Sequence, residues 1–169
     1  VRYRDLGVRF RNFGWEGDMV YAQPRDVGFP PLSAHLKRAG VSVIVFQFGR
    51  AEALAGQGTL TDFAAAYQKL LDDCLRQTPR VVLVTPVPFE KGAGMLPDLA
   101  ARNAGLSENA DAIRNLAQRR GLPLVDLFGE LGGIAHRGPR LTDDGLQITE
   151  HGQALVARAF ARQLGFGDL

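Results

Sequence analysis

The sequence predicts an α/β fold built on a parallel sheet, and three observations carry that prediction. Short apolar, β-branched runs alternate with stretches of helical periodicity along the chain. The run at 41–48 (VSVIVFQF) is apolar enough to form a central strand buried on both faces. The composition, 46% hydrophobic and 22% charged over 169 residues, suits a globular chain able to bury a sizeable core. Neither a linker nor an internal repeat interrupts it, so one domain spanning 1–169 is expected.

The elements follow in order. Residues 8–13 (VRFRNF) alternate and read as a strand ending at the Gly14-Trp15-Glu16-Gly17 turn. Residues 32–39 form a short helix after two prolines, stopped by Gly40, and 41–48 is the strongest strand. Between 61 and 77, Phe63, Ala66, Tyr67, Leu70, Leu71 and Cys74 fall on one helical face. Residues 81–85 make the next strand, ended by Pro86-Val87-Pro88. Residues 97–120 are helical over most of their length, with Ile113, Leu116 and Ala117 facing inward and Gly121 as the stop. A short strand at 124–127, a Gly-rich loop at 132–139 and a last helix at 149–164, capped by Thr149, complete the chain.

One element is out of place. Sheets of this kind open on a buried strand, and only residues 1–6, charged and weakly patterned, precede 8–13. A strand is therefore expected to be missing. That leaves 8–13 and 41–48 with unpaired edges unless residues 1–6 or another segment fill the place.

Composition also limits function. The net charge is +2, and the basic residues are dispersed: Arg2, Arg4, Arg9, Arg11, Arg119 and Arg120 lie on different elements. Lys37-Arg38 and Arg119-Arg120 sit near helix ends, where they complement the dipole, so no nucleic-acid partner is expected. No run approaches the roughly 20 apolar residues of a membrane span. The lone cysteine, Cys74, has no intrachain partner and reads as a core residue. The chain opens on Val1 rather than Met, as expected of a processed chain or part of a longer precursor.

In open parallel sheets, function gathers in the loops beyond the carboxyl ends of the strands. Four such loops stand out: 12–20 (NFGWEGDMV), 48–56 (FGRAEALAG), 85–91 (TPVPFEK) and 141–152 (LTDDGLQITEHG). In the last, Asp144-Gly145-Leu146-Gln147 has the shape of an Asp-x-x-His element with Gln in the fourth place. An Asp-x-x-His pair activates a serine: the imidazole takes the hydroxyl proton and the carboxylate orients the ring. The Gln amide is not basic and cannot take that proton.

Together these blocks resemble the SGNH/GDSL hydrolase family, which uses a Ser near the first strand, a Gly and an Asn at the oxyanion hole, and a late Asp-x-x-His. NFGWEGD is similar to the second block and places Gly17 as the oxyanion-hole glycine. QFGRAEALAG is similar to the third, with Ala51 where the family has Asn, and DDGLQITEHG to the last, with Asp144 at the acid and Gln147 at the His. PDLAARN, at 97–103, resembles a bacterial branch rich in exported esterase-like domains. The resemblance implies a three-layer α/β/α, flavodoxin-like parallel sheet lacking its first strand, and a periplasmic or extracellular location.

The catalytic inventory is poor. Ser33, Ser42 and Ser107 fall on predicted helices or within a strand, and none follows a first strand. Ala51 offers no side-chain donor, a loss worth about 3 kcal/mol of transition-state stabilisation. His151, at the start of the last helix, is a solvated helix residue, and His35 and His136 read as surface residues. No catalytic residue, metal or other cofactor is expected, and Gly17, Ala51, Asp144 and Gln147 are vestigial positions.

Three functional readings follow. The leading one is a non-catalytic domain acting as a structural or binding accessory subunit with a protein partner. The second is a serine esterase or carbohydrate acetylhydrolase whose nucleophile lies on an absent N-terminal segment. The third is a crevice without chemistry, where Trp15, Asp18, Arg50, Glu52 and Asp144 gather to bind a sugar or a hard cation. Against that third reading, Arg50 and Glu52 form ordinary ion pairs, Asp144 caps a turn, and Trp15 anchors its loop on the sheet.

Overall fold

A computed structural model describes residues 7–56, 58–133 and 139–167. Among the described residues the sheet has three parallel strands in the order β1 (Ile44–Gln47), β2 (Val81–Val84), β3 (Leu124–Val125). The helices are α1 (Leu32–Ala39), α2 (Arg50–Ala55), α3 (Leu60–Leu75), α4 (Asn103–Arg120), α5 (Leu127–Gly132) and α6 (Glu150–Gln163), with a 3-10 turn at Leu99–Arg102. Parallel strands need crossovers, and α3 and α4 supply them.

Alternation along β2 divides the core into two layers. Val81 and Leu83 pack with Phe46, Phe63, Tyr67, Leu71, Ile113 and Leu116 beneath α3 and α4. Val82 and Val84 face the other way, into Val125, Leu127, Leu131 and Ala159 beneath α5 and α6. This is the three-layer α/β/α arrangement. Local chemistry sets the helix ends. Thr59 and Asp62 form a reciprocal capping box on α3. Thr149 accepts from Gly152 N–H at the start of α6, and Gly40 and Gly121 close α1 and α4 in the left-handed conformation. Cys74 is buried on α3, and burial pushes its thiol up to about 11.

Several expectations need correction. Residues 8–13 form no strand: Phe10 is 94% exposed, and among the described residues no ladder reaches them. Alternation states which way side chains would point if a neighbour were there, and a strand forms only when one is. Among the described residues the run at 41–48 is not central: it shortens to β1, which lies at the edge of their sheet with Val45 55% exposed. The α5–α6 layer packs on Val82 and Val84 of β2 and Val125 of β3. Segment 48–56, read as a loop, contains α2, and Leu127 opens α5 instead of ending β3. Residues 1–6, proposed to fill the vacant place, and most of the 132–139 loop lie outside the described residues.

Candidate functional site

The Asp144 turn is built by its own backbone. An antiparallel bridge joins Thr142 to Ile148, and Asp143 N–H donates to Gln147 O at 2.9 Å. Asp144 Oδ1 accepts from Leu146 N–H and Gln147 N–H, each at 2.7 Å. Those two donors, with Arg50 nearby, hold the Asp144 carboxyl below its ordinary value. Gly145 has φ of 97°, and a Cβ there would lie 2.6 Å from Glu90 O. The turn therefore seats directly on the 85–91 loop. Glu90, buried, receives both Thr142 N–H and Thr142 Oγ1–H on Oε2 at 2.7 Å. The Gln147 side chain is exposed and makes no hydrogen bond among the described residues.

Arg50 crosses from the first turn of α2 to this element. Its Nη1 donates to Leu146 O at 2.7 Å and its Nη2 to Gly145 O at 3.1 Å, while the guanidinium lies 5.1 Å over the Phe89 ring. Its Nε is buried without a hydrogen-bond partner. Burial lowers the Arg50 pKa, and the charges of Asp144 and Glu90 oppose that shift. Phe89 is itself clamped: Asn103 Oδ1 accepts from Phe89 N–H at 2.8 Å and Nδ2 donates to Phe89 O at 2.9 Å. The side chain of Arg50 thus latches the third block to the fourth, beside the half-buried methyl of Ala51.

Glu52, 3% exposed, ties the second block to the third. Its Oε1 accepts from Val20 N–H at 2.6 Å and its Oε2 from Gly49 N–H at 2.8 Å. Gly49 adopts φ of 111°, and its carbonyl accepts from Asn109 Nδ2 at 3.0 Å. In the second block, Gly17 is exposed with φ of 83°. Asp18 takes both Nη atoms of Arg25, at 2.6 and 2.8 Å, and Trp15 N–H at 2.9 Å. Burial opposes ionisation of Asp18, but these bonds outweigh it and hold its carboxyl below the ordinary value. Arg25 lies 4.9 Å over the Trp15 ring, and Phe29 meets that ring at 6.0 Å edge-on.

The structure keeps the expected crevice residues apart in role. Asp18 is spent on Arg25, Glu52 on two backbone amides and Asp144 on its own turn. Among the described residues no three His, Cys, Asp or Glu side chains group as a metal site. Arg50 and Glu52 do not form the expected ion pairs; both bond backbone. Trp15 does not anchor its loop on the sheet: it is 60% exposed and packs on Arg25 and Phe29. His35 is half-buried against Phe29, and His151 is exposed on α6. Ser33 and Ser42 are exposed and Ser107 lies on α4, while His136 falls outside the described residues. A cleft of about 280 Å³ opens between α2, α3 and α4, lined by Tyr21, Glu52, Thr59, Phe63, Arg102 and Asn109, and it touches none of the four vestigial positions.

Sequence reasoning missed Glu90, Asn103 and Asn109: the two asparagines bond backbone atoms far along the chain, and Glu90 takes both the amide and the hydroxyl of Thr142. Such bonds leave no periodic trace. In their place the four blocks offer carboxylates already occupied, a guanidinium and backbone amides, with no proton acceptor at 147 and no side-chain donor at 51.

A parallel sheet between helical layers, with the 48–56 and 85–91 segments directly beyond β1 and β2, defines a three-layer α/β/α protein. The GDSL-like lipase/acylhydrolase family model matches residues 2–155, and the chain belongs to that family. Among solved structures, it is similar to a catalytic mutant of an acetylxylan esterase from Geobacillus stearothermophilus. The TM-score is 0.75 at 17% identity, over 98% of this chain and 76% of the other. It is also similar to a lipase/acylhydrolase from Enterococcus faecalis, with TM-score 0.66 at 19% identity over 88% and 71%. At these identities the likeness shows the fold. Curated proteins yield no match.

Proposed function

We propose that this chain is a non-catalytic member of its family, serving as a structural or binding accessory subunit beside a protein partner, in the periplasm or outside the cell. The observation that carries the reading is the joint state of positions 51 and 147. Ala51 has no side-chain amide to stabilise an oxyanion, and Gln147 cannot take a proton from a nucleophile. Arg50 supports it further, since the side chain between the two blocks holds the Asp144 turn by its carbonyls instead of leaving it to receive substrate.

The relatives named above favour a second reading. If the chain hydrolyses esters, an acetylated carbohydrate is the substrate class the Geobacillus stearothermophilus acetylxylan esterase suggests, with the nucleophile supplied from outside the described residues. The two readings separate in one experiment: fluorophosphonate labelling read by intact mass, with turnover of p-nitrophenyl acetate. No adduct and no turnover supports the accessory subunit. A stoichiometric adduct with turnover overturns it and restores the esterase.

A further inference from the structure

The 12–29 segment holds an exposed indole in a fixed pose. Asp18 receives the Trp15 amide and clamps both Nη atoms of Arg25, and the Arg25 guanidinium covers the indole ring. Phe29 buttresses the ring edge-on and is itself backed by His35, 4.8 Å away, whose buried Nε2 has no hydrogen-bond partner. The Asp18 and Arg25 side chains are only 8% and 18% exposed, while Trp15 stays 60% exposed. A mostly buried ion pair thus supports a ring that folding leaves in water. Folding alone would gain more by burying that ring.

We propose that the open face of Trp15, with Arg25 on its other face and Phe29 standing nearly perpendicular at its edge, is a stacking platform for a neutral pyranose ring within an oligosaccharide. This deepens the binding form of the accessory-subunit reading and rests on it. Two features select the ligand. The Arg25 charge is neutralised at both Nη atoms by Asp18, so Arg25 gives the platform no free cation to prefer a uronate or a phosphosugar. The ring pair is small: one aromatic side chain offers roughly 150–250 Å², against about 800 Å² per partner in a stable protein interface. A flat ring with apolar C–H faces and a hydroxyl rim fits that area.

The test uses the fact that Trp15 is the sole tryptophan, so intrinsic emission reports this site alone. The whole chain is run in native gels containing hydroxyethyl cellulose, xylan or galactomannan, and its emission is titrated with cellohexaose, xylohexaose and mannohexaose. Retardation in at least one gel, with a saturable blue shift for the matching hexasaccharide, is expected. Trp15→Ala should weaken retention at least tenfold and Phe29→Ala a few-fold, with both variants unfolding near the wild-type temperature. The proposal is overturned by no retardation in any gel with unchanged emission, or by retention that Trp15→Ala keeps. Emission that shifts only with protein concentration also overturns it, by making the patch a protein contact. p-Nitrophenyl acetate turnover is read on the same samples: turnover with sugar binding removes the non-catalytic reading alone, and absence of both removes the platform alone.

Discussion

Glu52 is the position where the loss of one side chain should be felt most widely. Replacing it with Ala leaves the N–H groups of Val20 and Gly49 without their acceptor, in surroundings where Val20 is 6% exposed and Gly49 is buried. A hydrogen bond to a charged group contributes about 1.5–3 kcal/mol, so losing both costs roughly 3–6 kcal/mol. Glu52 lines the 280 Å³ cleft, so water can enter the vacated space and satisfy one amide. That places the expected loss near the lower end, about 3 kcal/mol. For a domain of this size, 1 kcal/mol moves Tm by about 2–4 °C, giving a drop of about 6–12 °C. Glu52→Gln keeps one oxygen acceptor but turns an NH₂ toward the other amide, so it should fall between wild type and Ala. Urea unfolding followed by Trp15 emission and by far-ultraviolet circular dichroism measures this, and coincident transitions would license the two-state analysis. A Glu52→Ala variant within about 1 kcal/mol of wild type would refute the assignment of Glu52 as the tie between these loops.

The other predictions concern the remaining polar joints. Asp126 caps α5 and receives Arg114 Nε at 3.0 Å, Arg114 Nη2 at 2.9 Å and Thr85 Oγ1 at 2.8 Å. Burial opposes its ionisation, but Arg114, Gly129 N–H and Thr85 outweigh it and hold the pKa low. Its stabilisation is therefore complete above the unfolded carboxylate value, about 3.9, and is lost as pH falls through the lower folded value. Asp126→Asn should cost about 2–3 kcal/mol at neutral pH and flatten the stability profile below about pH 4; an unchanged acid slope would contradict this. Gly145→Ala combines a left-handed backbone with the approach to Glu90 O, so thermal melts should show a loss of about 2–4 kcal/mol, and a neutral result would mean the turn is not seated as described. Gln147→His should leave p-nitrophenyl acetate untouched, because a base without a nucleophile has nothing to activate; turnover by that variant would sink the non-catalytic assignment.

What could be read from the sequence was what the chain decides locally. The Thr149 cap and the Gly40 and Gly121 stops are written within four residues of where they act, and α1, α4 and α6 follow them, while the apolar face at 61–77 gives α3 without its Thr59 capping box. β2 was legible because it is apolar on both faces. Residues 8–13 and 41–48 misled for one reason: a strand's extent is set by its neighbours, and no periodicity encodes a neighbour. The six-residue α2 is too short to show a period. In the candidate site, the substitutions at 51 and 147 were legible because they are identities at motif positions. The work of Arg50 was not, since its acceptors lie 95 and 96 residues away and are carbonyls that any residue carries. Ion-pair expectations for Arg50 and Glu52 failed because buried backbone groups compete for the same charges.

The β1 edge has a consequence for how this protein's stability is measured. Ile44 N–H donates to Arg80 O, so by the alternation of a parallel ladder the amides of Val45 and Gln47 point away from β2, where no described strand meets them. Any extended segment that pairs there binds the folded chain and not the unfolded one. By mass action, such a segment at a hundred times its Kd raises stability by about 2.7 kcal/mol. With such a segment present, the melting temperature of this chain rises with that segment's concentration. Dilution series should accompany every stability value assigned to it.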